Sequence, residues 1–414
     1  MSTIEKHDMT QGKILLPLVS FTIPLVLGNL FQLTYNAADS VIVGKYVGEQ
    51  ALAAVGTSTP IMNIAILLIS GMCMGASVLM SSQYGAKDYD TLSRQISTTM
   101  LAGCGFSVVF SLLMLLLANP VLRLIRVPET PIPEAAAYLR IIFMGLIFTF
   151  MYNFLANTMR ALGDSKTPLY FLVTSAFLNI FGDLFFVVVL RWGVAGSAIA
   201  TVCSEGLCCL LCGIYIKKKI PLLCLGKKWW VFDKSLLGKT VSYGSTSAMQ
   251  QVCLQLGKLI IQSVVNTQGV AVMAAFTAVN RVDDFAYTPQ QNIGHAMTTF
   301  LAQNKGAGHK ERMKKGFQTG LLIELVYSIG LFCVIWGLAP QIMTLFAEDG
   351  DAQVVSLGIS YLHLISWMYI LPGLTNGVQG FFRGICDLKV TLYSTFMNMF
   401  GRVVAVFVMI RLLQ

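Results

Sequence analysis

The chain has 414 residues, of which 55% are hydrophobic and 12% charged, with a formal net charge of +9. Charged residues are about half as frequent as in soluble proteins, and apolar runs of about 20 residues recur from end to end. This excludes a soluble domain. The positive charge gathers in short loops between the apolar runs, which excludes a nucleic-acid surface as its explanation and reads as an all-α polytopic membrane protein.

In chain order the apolar runs predict eleven spans: 15–43, 50–82, 97–119, 135–158, 167–190, 193–216, 240–266, 270–303, 316–339, 354–380 and 389–412. Residues 1–13 are polar and the first run is far longer than a signal-peptide core, so no cleaved leader is expected. Pro24, Pro60, Pro289 and Pro372 fall inside spans, where proline frees a carbonyl and bends the helix; packing and hinge readings both stay open. Cys209-Leu-Leu-Cys212 has the spacing of a metal or redox pair. It lies with Cys208 at lipid depth without His or acidic neighbours, so these cysteines read as small packing residues.

With alternating connections and a cytoplasmic N-terminus, 20 Lys and Arg fall inside and five outside: Lys45, Arg123, Arg126, Arg191 and Arg411. The bias predicts a multi-pass plasma-membrane protein whose basic loops rest on anionic lipid. The most basic stretch, Lys217–Lys239, also carries Trp229-Trp230, an interfacial pattern.

The chain reads twice. Gly48…Ala53-Ala54…Gly85-Ala86 returns at an offset of 221 as Gly269…Ala274-Ala275…Gly306-Ala307. Arg160-Ala-Leu-Gly-Asp164 returns as Arg383-Gly-Ile-Cys-Asp387, and Asn179-Ile-Phe-Gly182 as Asn398-Met-Phe-Gly401. Six spans precede the basic stretch. An even number brings the second copy in from the same face, so the copies are parallel and related by a pseudo-two-fold axis. The expected organisation is a first bundle over 1–216, a cytoplasmic linker over 217–239 and a second bundle over 240–414. The second copy stops one span short, which reads as a truncated chain or a lost last helix.

Each ionisable group at membrane depth costs a few kcal/mol and needs an explanation. Asp39 lies roughly 6 Å, Asp183 roughly 10 Å and Thr201 roughly 12 Å from the outer ends of their spans, at helical rise. Asn179 is one turn from Asp183, and Tyr35 one turn from Asp39. Two carboxylates, an amide, a hydroxyl and a phenol at one depth suit a Na⁺ or H⁺ site. Helix–helix hydrogen bonding is the competing explanation. It is disfavoured because no basic residue of the first copy shares that depth, and because Asp39 becomes Ile260 and Asp183 becomes Arg402 in the second copy. Among Lys258, Arg281, Asp283 and Asp284 the spacing suggests an Arg281–Asp284 pair. Glu205, Glu324, His295 and His363 are further ionisable groups at depth, and packing is the default for the histidines. No HExxH or GxSxG motif occurs, so no enzyme is expected.

At this point the chain resembles the multidrug and toxic compound extrusion (MATE) transporters. The resemblance rests on Asp39-Ser-Val-Ile-Val-Gly-Lys-Tyr-Val-Gly48, Ala51-Leu-Ala-Ala-Val-Gly56, Gln83-Tyr-Gly-Ala86, Arg160-Ala-Leu-Gly-Asp164 and Gly193-Val-Ala-Gly-Ser-Ala-Ile-Ala-Thr201. It implies two six-helix lobes around a central cavity and antiport of organic, often cationic, compounds against H⁺ or Na⁺, with no other cofactor. The DinF-like branch is similar in its first-lobe ion site, which maps onto Asp39, Asn179, Asp183 and Thr201, with Tyr35 adjacent and Asn157 organising the substrate site. The second-lobe acids of the NorM-like branch have no match in Gln250-Gln-Val-Cys-Leu-Gln-Leu-Gly257. Expected partners are small organic molecules and membrane lipid, with no nucleic acid, for a monomeric chain. The alternatives are a flippase for lipid-linked precursors and a truncated non-transporting membrane protein.

Overall fold

The structure, a computed structural model, describes residues 8–125, 127, 129–220, 230–346 and 352–413. Lys6, Arg126 and Lys227–Trp229 lie outside them. The described residues form helices α1 (Leu15–Tyr46), α2 (Glu49–Gly85), α3 (Tyr89–Leu124), α4 (Ile132–Met144), α5 (Leu146–Ala161), α6 (Lys166–Asp183), α7 (Gly193–Lys219), α8 (Lys234–Val265), α9 (Val270–Gly306), α10 (Lys310–Phe346), α11 (Ala352–Ser366), α12 (Ile370–Gly384) and α13 (Leu388–Leu413). A π-helical turn, Leu184–Val189, continues α6, and a 3₁₀ turn, Trp367–Tyr369, joins α11 to α12.

Helices are the expected solution in lipid, because the segment itself must satisfy each backbone donor and acceptor. Joined across their breaks, these elements make eleven rods that follow the eleven predicted spans. Seven are long and apolar enough to cross a membrane, and α4 with α5, bent by 46°, makes an eighth. The rods α8, α9 and α13 have spanning length without belonging to that set. In α8 and α9 the apolar average is diluted by amides that find partners inside the protein. Gln250 donates to Gln379 and Thr395, both at 3.0 Å, and Gln290 donates to Ser328 at 3.0 Å.

The repeat is visible in the helix ends. The N-caps of α2 and α9 are Gly48 (φ 116°) and Gly269 (φ 101°), equivalent by the 221 offset. Both helices are 37 residues long. The fourth span is broken in each copy, between α4 and α5 and between α11 and α12.

By packing, the chain divides into two compact units. One holds Leu27–Ala248, and the other holds Met9–Val26 with Met249–Gln414. These bounds differ from the chain-order reading of 1–216, 217–239 and 240–414 in two places. The start of α1 belongs to the second unit, where Leu18, Phe21 and Leu25 share a core with Ile293, Met297 and Phe300. The division falls just after Pro24, where the helix lacks one backbone bond. The start of α8 belongs to the first unit. There Gly71-x-x-x-Gly75 of α2 meets Gly244-x-x-x-Ala248 of α8 so closely that a Cβ on Gly75 would stand 2.5 Å from the Gly244 nitrogen. Small residues at four-residue spacing permit this approach of two backbones. The end of the linker is tied to α3: Arg94 pairs with Asp233 at 3.3 Å, and Gln95 donates to Thr240 at 2.6 Å.

Candidate functional site

In the first unit, α6 and α7 are drawn together by small residues. A Cβ on Gly182 would lie 3.0 Å from the Ala200 side chain, and one on Gly196 would lie 3.0 Å from the Phe186 carbonyl. The connection turns sharply: Arg191 (φ 56°) and Gly193 (φ 59°) take left-handed conformations, and Trp192 stacks on Phe186. The π-helical turn begins directly after Asp183. Such turns inside helices are frequent at functional sites, because they re-aim neighbouring side chains.

This close pairing brings Asn179 Nδ2 within 3.2 Å of Thr201 Oγ1. Asn179 is buried and its Oδ1 has no partner. Asp183 is fully buried, and no N–H or hydroxyl donor reaches either of its oxygens. The group it meets is the Asp39 carboxyl of α1, near enough for the charge on one acid to oppose the charge on the other. The other contact of Asp39 is a 2.7 Å hydrogen bond accepted from Ser197 Oγ. The ion pairs among the described residues are Arg94–Asp233 and Lys258–Asp284, so neither acid has a basic partner there.

Beside the acids lies a cavity of about 210 Å³. Asn179, Thr201 and Tyr35 line it, while Asp39 and Asp183 stand outside its wall. Tyr35 and Gln32 line the cavity together, and Tyr35 lies within electrostatic range of both Glu205 and Asp39. The structure therefore brings together Asp39, Asp183, Asn179, Thr201 and Tyr35. Asn157 is not among the residues that line this cavity; its amide donates to the Asn153 carbonyl of its own helix at 2.8 Å, and Asn153 lines the cavity.

Sequence reasoning missed three members of this region. Ser197 precedes Thr201 by one turn, a spacing that could have flagged it. Tyr138 of α4, buried, feels Asp39, Asp183 and Glu205. Glu205, read only as an ionisable group at depth, lines the cavity and accepts from Thr149 Oγ1 at 2.5 Å. Arg160, from the repeated motif, lines it as well, with a buried Nε that has no partner. The cavity thus offers one acid, one base and several amides and hydroxyls.

In the second unit, the expected Arg281–Asp284 pair is replaced by a contact between helices. Lys258 of α8 meets Asp284 at 3.0 Å. Asp283 instead accepts from the Tyr369 hydroxyl. His363 packs on Trp336, with ring centroids 4.5 Å apart, as expected of a packing histidine.

The family model MatE matches residues 24–185 and 247–408, once on each copy of the repeat. The probable multidrug resistance protein YpnP of Bacillus subtilis (strain 168) is 32% identical over 92% of this chain and 84% of its own length. The probable multidrug resistance protein YoeA of the same organism is 30% identical over 85% of this chain and 77% of its own. Among solved structures, a MOP superfamily transporter from Pyrococcus furiosus Vc1 (DSM3638) superposes with a TM-score of 0.88 at 22% identity, covering 97% of this chain and 89% of that one. That likeness is one of fold.

Proposed function

Since the chain belongs to the MatE family, whose members are membrane transporters and not enzymes, we propose that it is a secondary active antiporter. It exports small organic compounds, often cationic, across the plasma membrane while H⁺ or Na⁺ moves inward. The N-terminus lies in the cytoplasm, and the functional lobes are 1–216 and 240–414, joined by the basic linker 217–239. Its relatives are named for multidrug resistance, which supports organic compounds as cargo.

The observation that carries the reading is the Asp39–Asp183 pair. Two carboxyls face each other at membrane depth with no basic side chain paired to either, so one small cation must be bound for the pair to persist without large charge repulsion. Asn179 and Thr201 connect that pair to the cavity wall. Occupancy of the pair therefore alters the same α1, α6 and α7 surfaces that line the cavity, and a cation on the acids and a compound in the cavity bias one another reciprocally. Pro24 gives α1 a place to bend between its halves, each of which packs in a different unit.

The test is gradient-driven dye efflux from proteoliposomes. An imposed inward proton or sodium gradient is expected to drive efflux by the wild-type chain and to fail with Asp39→Asn. Unchanged gradient-driven efflux by that variant would overturn the coupling mechanism, and the response to one gradient and not the other identifies the ion.

A further inference from the structure

The two copies of the repeat differ most sharply at one crossing in the second unit. Glu324, on α10, is fully buried, and neither carboxyl oxygen has a hydrogen-bond partner. By the 221 offset it stands where the first copy has Gly103, with Ser328 matching Ser107 on the next turn. The register that places Arg160 on Arg383 places Phe150 on Gly373 and Phe154 on Gly377.

In the first copy this crossing is a hydrocarbon plug. A Cβ on Gly103 would run into the Phe150 ring, and Phe150 stacks on Phe154 at 5.8 Å. In the second copy large and small are exchanged. The rings have become glycines, and the facing glycine has become a carboxylic acid. The point where a Cβ on Gly373 would stand lies 2.7 Å from Ser328 Oγ, 3.1 Å from Gln290 Nε2 and 3.4 Å from Glu324 Oε2. Gln290 itself replaces Ile69 by the same offset. An apolar core has been rebuilt as a polar pocket of four positions, which a packing role for Glu324 does not explain.

The hydrogen bonds state what the pocket lacks. Gln290 Nε2 donates to Ser328 Oγ at 3.0 Å and to the Tyr369 carbonyl at 2.8 Å. A carbonyl only accepts, so the Gln290 amide is fixed with Nε2 on that side. Its Oε1 is buried and without a donor, as are both oxygens of Glu324, and Asn376 Nδ2 on α12 is buried without an acceptor. A hydrogen on Glu324 would supply the donor that Gln290 Oε1 lacks, whereas an ionised Glu324 would add a further acceptor to a pocket already short of donors. The Tyr369 carbonyl, at the N-cap of α12, has a second lone pair to accept from Gln290, and it sits where the helix narrows to a 3₁₀ turn at Trp367–Tyr369, just before Pro372. Irregular backbone of this kind survives at membrane depth where it lines a site.

We infer that Glu324, with Gln290, forms a proton-binding site in the second unit, distinct from the Asp39–Asp183 pair. It stands whether or not that pair couples transport. The charged and titratable groups of the elements packed around α10 have other engagements. Asp283 accepts from Tyr369, Asp284 pairs with Lys258, and Arg383 donates to Gln379 at 3.0 Å. Tyr327 donates to the Ala286 carbonyl at 3.1 Å, and His363 lies against the Trp336 carbonyl. Lys305 of α9 donates to the Ile385 carbonyl, and neither it nor Arg281, Tyr287 and His295 on α9, Tyr361 on α11 and Lys13 before α1 forms an ion pair with Glu324.

The test is the infrared spectrum of the purified full chain at neutral pH, wild type against Glu324→Gln. The expected result is loss in the variant of one protonated-carboxyl C=O band, which in the wild type shifts in D₂O, is the same in Na⁺ and Na⁺-free buffers, and survives in Asp39→Asn. A Glu324→Gly, Gly373→Phe double variant rebuilds the packing of the first copy. It is expected to fold and to lose the same band, which supplies the readout if the single variant does not fold. Two results overturn the inference: Glu324 contributing only ionised-carboxylate bands, or Na⁺ converting the protonated band to an ionised one, which would make the pocket a metal-cation site.

Discussion

The Ser197 hydroxyl donates a 2.7 Å hydrogen bond to Asp39 Oδ1 and so ties α1 to α7 one turn before Thr201. Ser197 is fully buried. Ser197→Ala is expected to leave a carboxyl oxygen unsatisfied, at a cost of about 1–3 kcal/mol. The variant should show a lower thermal midpoint in detergent and slower gradient-driven efflux, whereas Ser197→Thr, which keeps the hydroxyl, should recover both. A midpoint equal to wild type in Ser197→Ala would mean that this contact does not hold α1 in place.

Glu205 is the acid of the cavity, facing a space that also holds Arg160, Asn153 and Tyr35. An acid in such a wall discriminates by charge. Glu205→Gln keeps shape and the capacity to accept from Thr149 while removing the negative charge. Binding of a cationic dye is expected to weaken about tenfold, roughly 1.4 kcal/mol, with a neutral dye of similar size little changed. Equal weakening of both dyes would assign Glu205 to the framework of the cavity and not to cargo recognition.

Much of this was legible in the sequence, for identifiable reasons. Rods follow from apolar run length, because lipid leaves the backbone little alternative to helix. Asp39, Asn179, Asp183 and Thr201 could be brought to one depth because helical rise converts residue number into distance. What depth cannot supply is azimuth. Asn157 shares its helix with Asn153, yet Asn153 is the residue at the cavity, and only packing decides which side of α5 faces inward. Nor could chain order show that α1 splits between two packing units after Pro24, since that depends on which surfaces Leu18 and Phe21 find. Arg281 and Asp284 had the right spacing for a pair within one helix. Lys258 competes from α8, and a partner on another helix leaves no trace in local spacing.

Asp88, in the connection between α2 and α3 and outside the spans, caps α3. Its carboxylate accepts from the Thr91 N–H at 3.1 Å. Hydrogen bonding to Thr91 holds the carboxyl below its ordinary range, which means the ionised form is favoured in the folded chain. A group of this kind adds stability above its unfolded pKa and loses it as pH falls through the folded value. Asp88→Ala is expected to cost about 0.5–1 kcal/mol near neutral pH, the low end for a cap because the site is solvent-screened. The gap between variant and wild type should close in acid. A difference in thermal midpoint that stays constant from neutral to acidic pH would show that the cap does not act through its charge.

One helix ending recurs at two equivalent pairs of places among the described residues, one of each pair in each copy, and its left-handed residue alternates in kind. After α2 it is Lys87 (φ 56°), and at the equivalent place after α9 it is Gly308 (φ 75°). After α5 it is Gly163 (φ 92°), and after α12 it is Cys386 (φ 62°). The hydrogen bonds repeat as well. The Asp88 and His309 N–H groups reach back to the Gln83 and Asn304 carbonyls, and those of Asp164 and Asp387 to Met159 and Phe382. A left-handed conformation costs an ordinary residue about 1–2 kcal/mol that glycine does not lose, against about 0.4–1 kcal/mol of extra chain entropy when glycine unfolds. Lys87 is exposed, so Lys87→Gly should gain a net of about 0.5–1 kcal/mol. Cys386→Gly should gain less, because the Cys386 thiol contacts the Gly384 carbonyl at 4.0 Å and that contact is lost. Thermal unfolding of the two single variants and of Gly308→Lys gives the comparison. Lys87→Gly should rise most, Cys386→Gly less, and Gly308→Lys should fall by about what Lys87→Gly gains. A rise in Gly308→Lys would show that backbone conformation is not what sets the residue at this position.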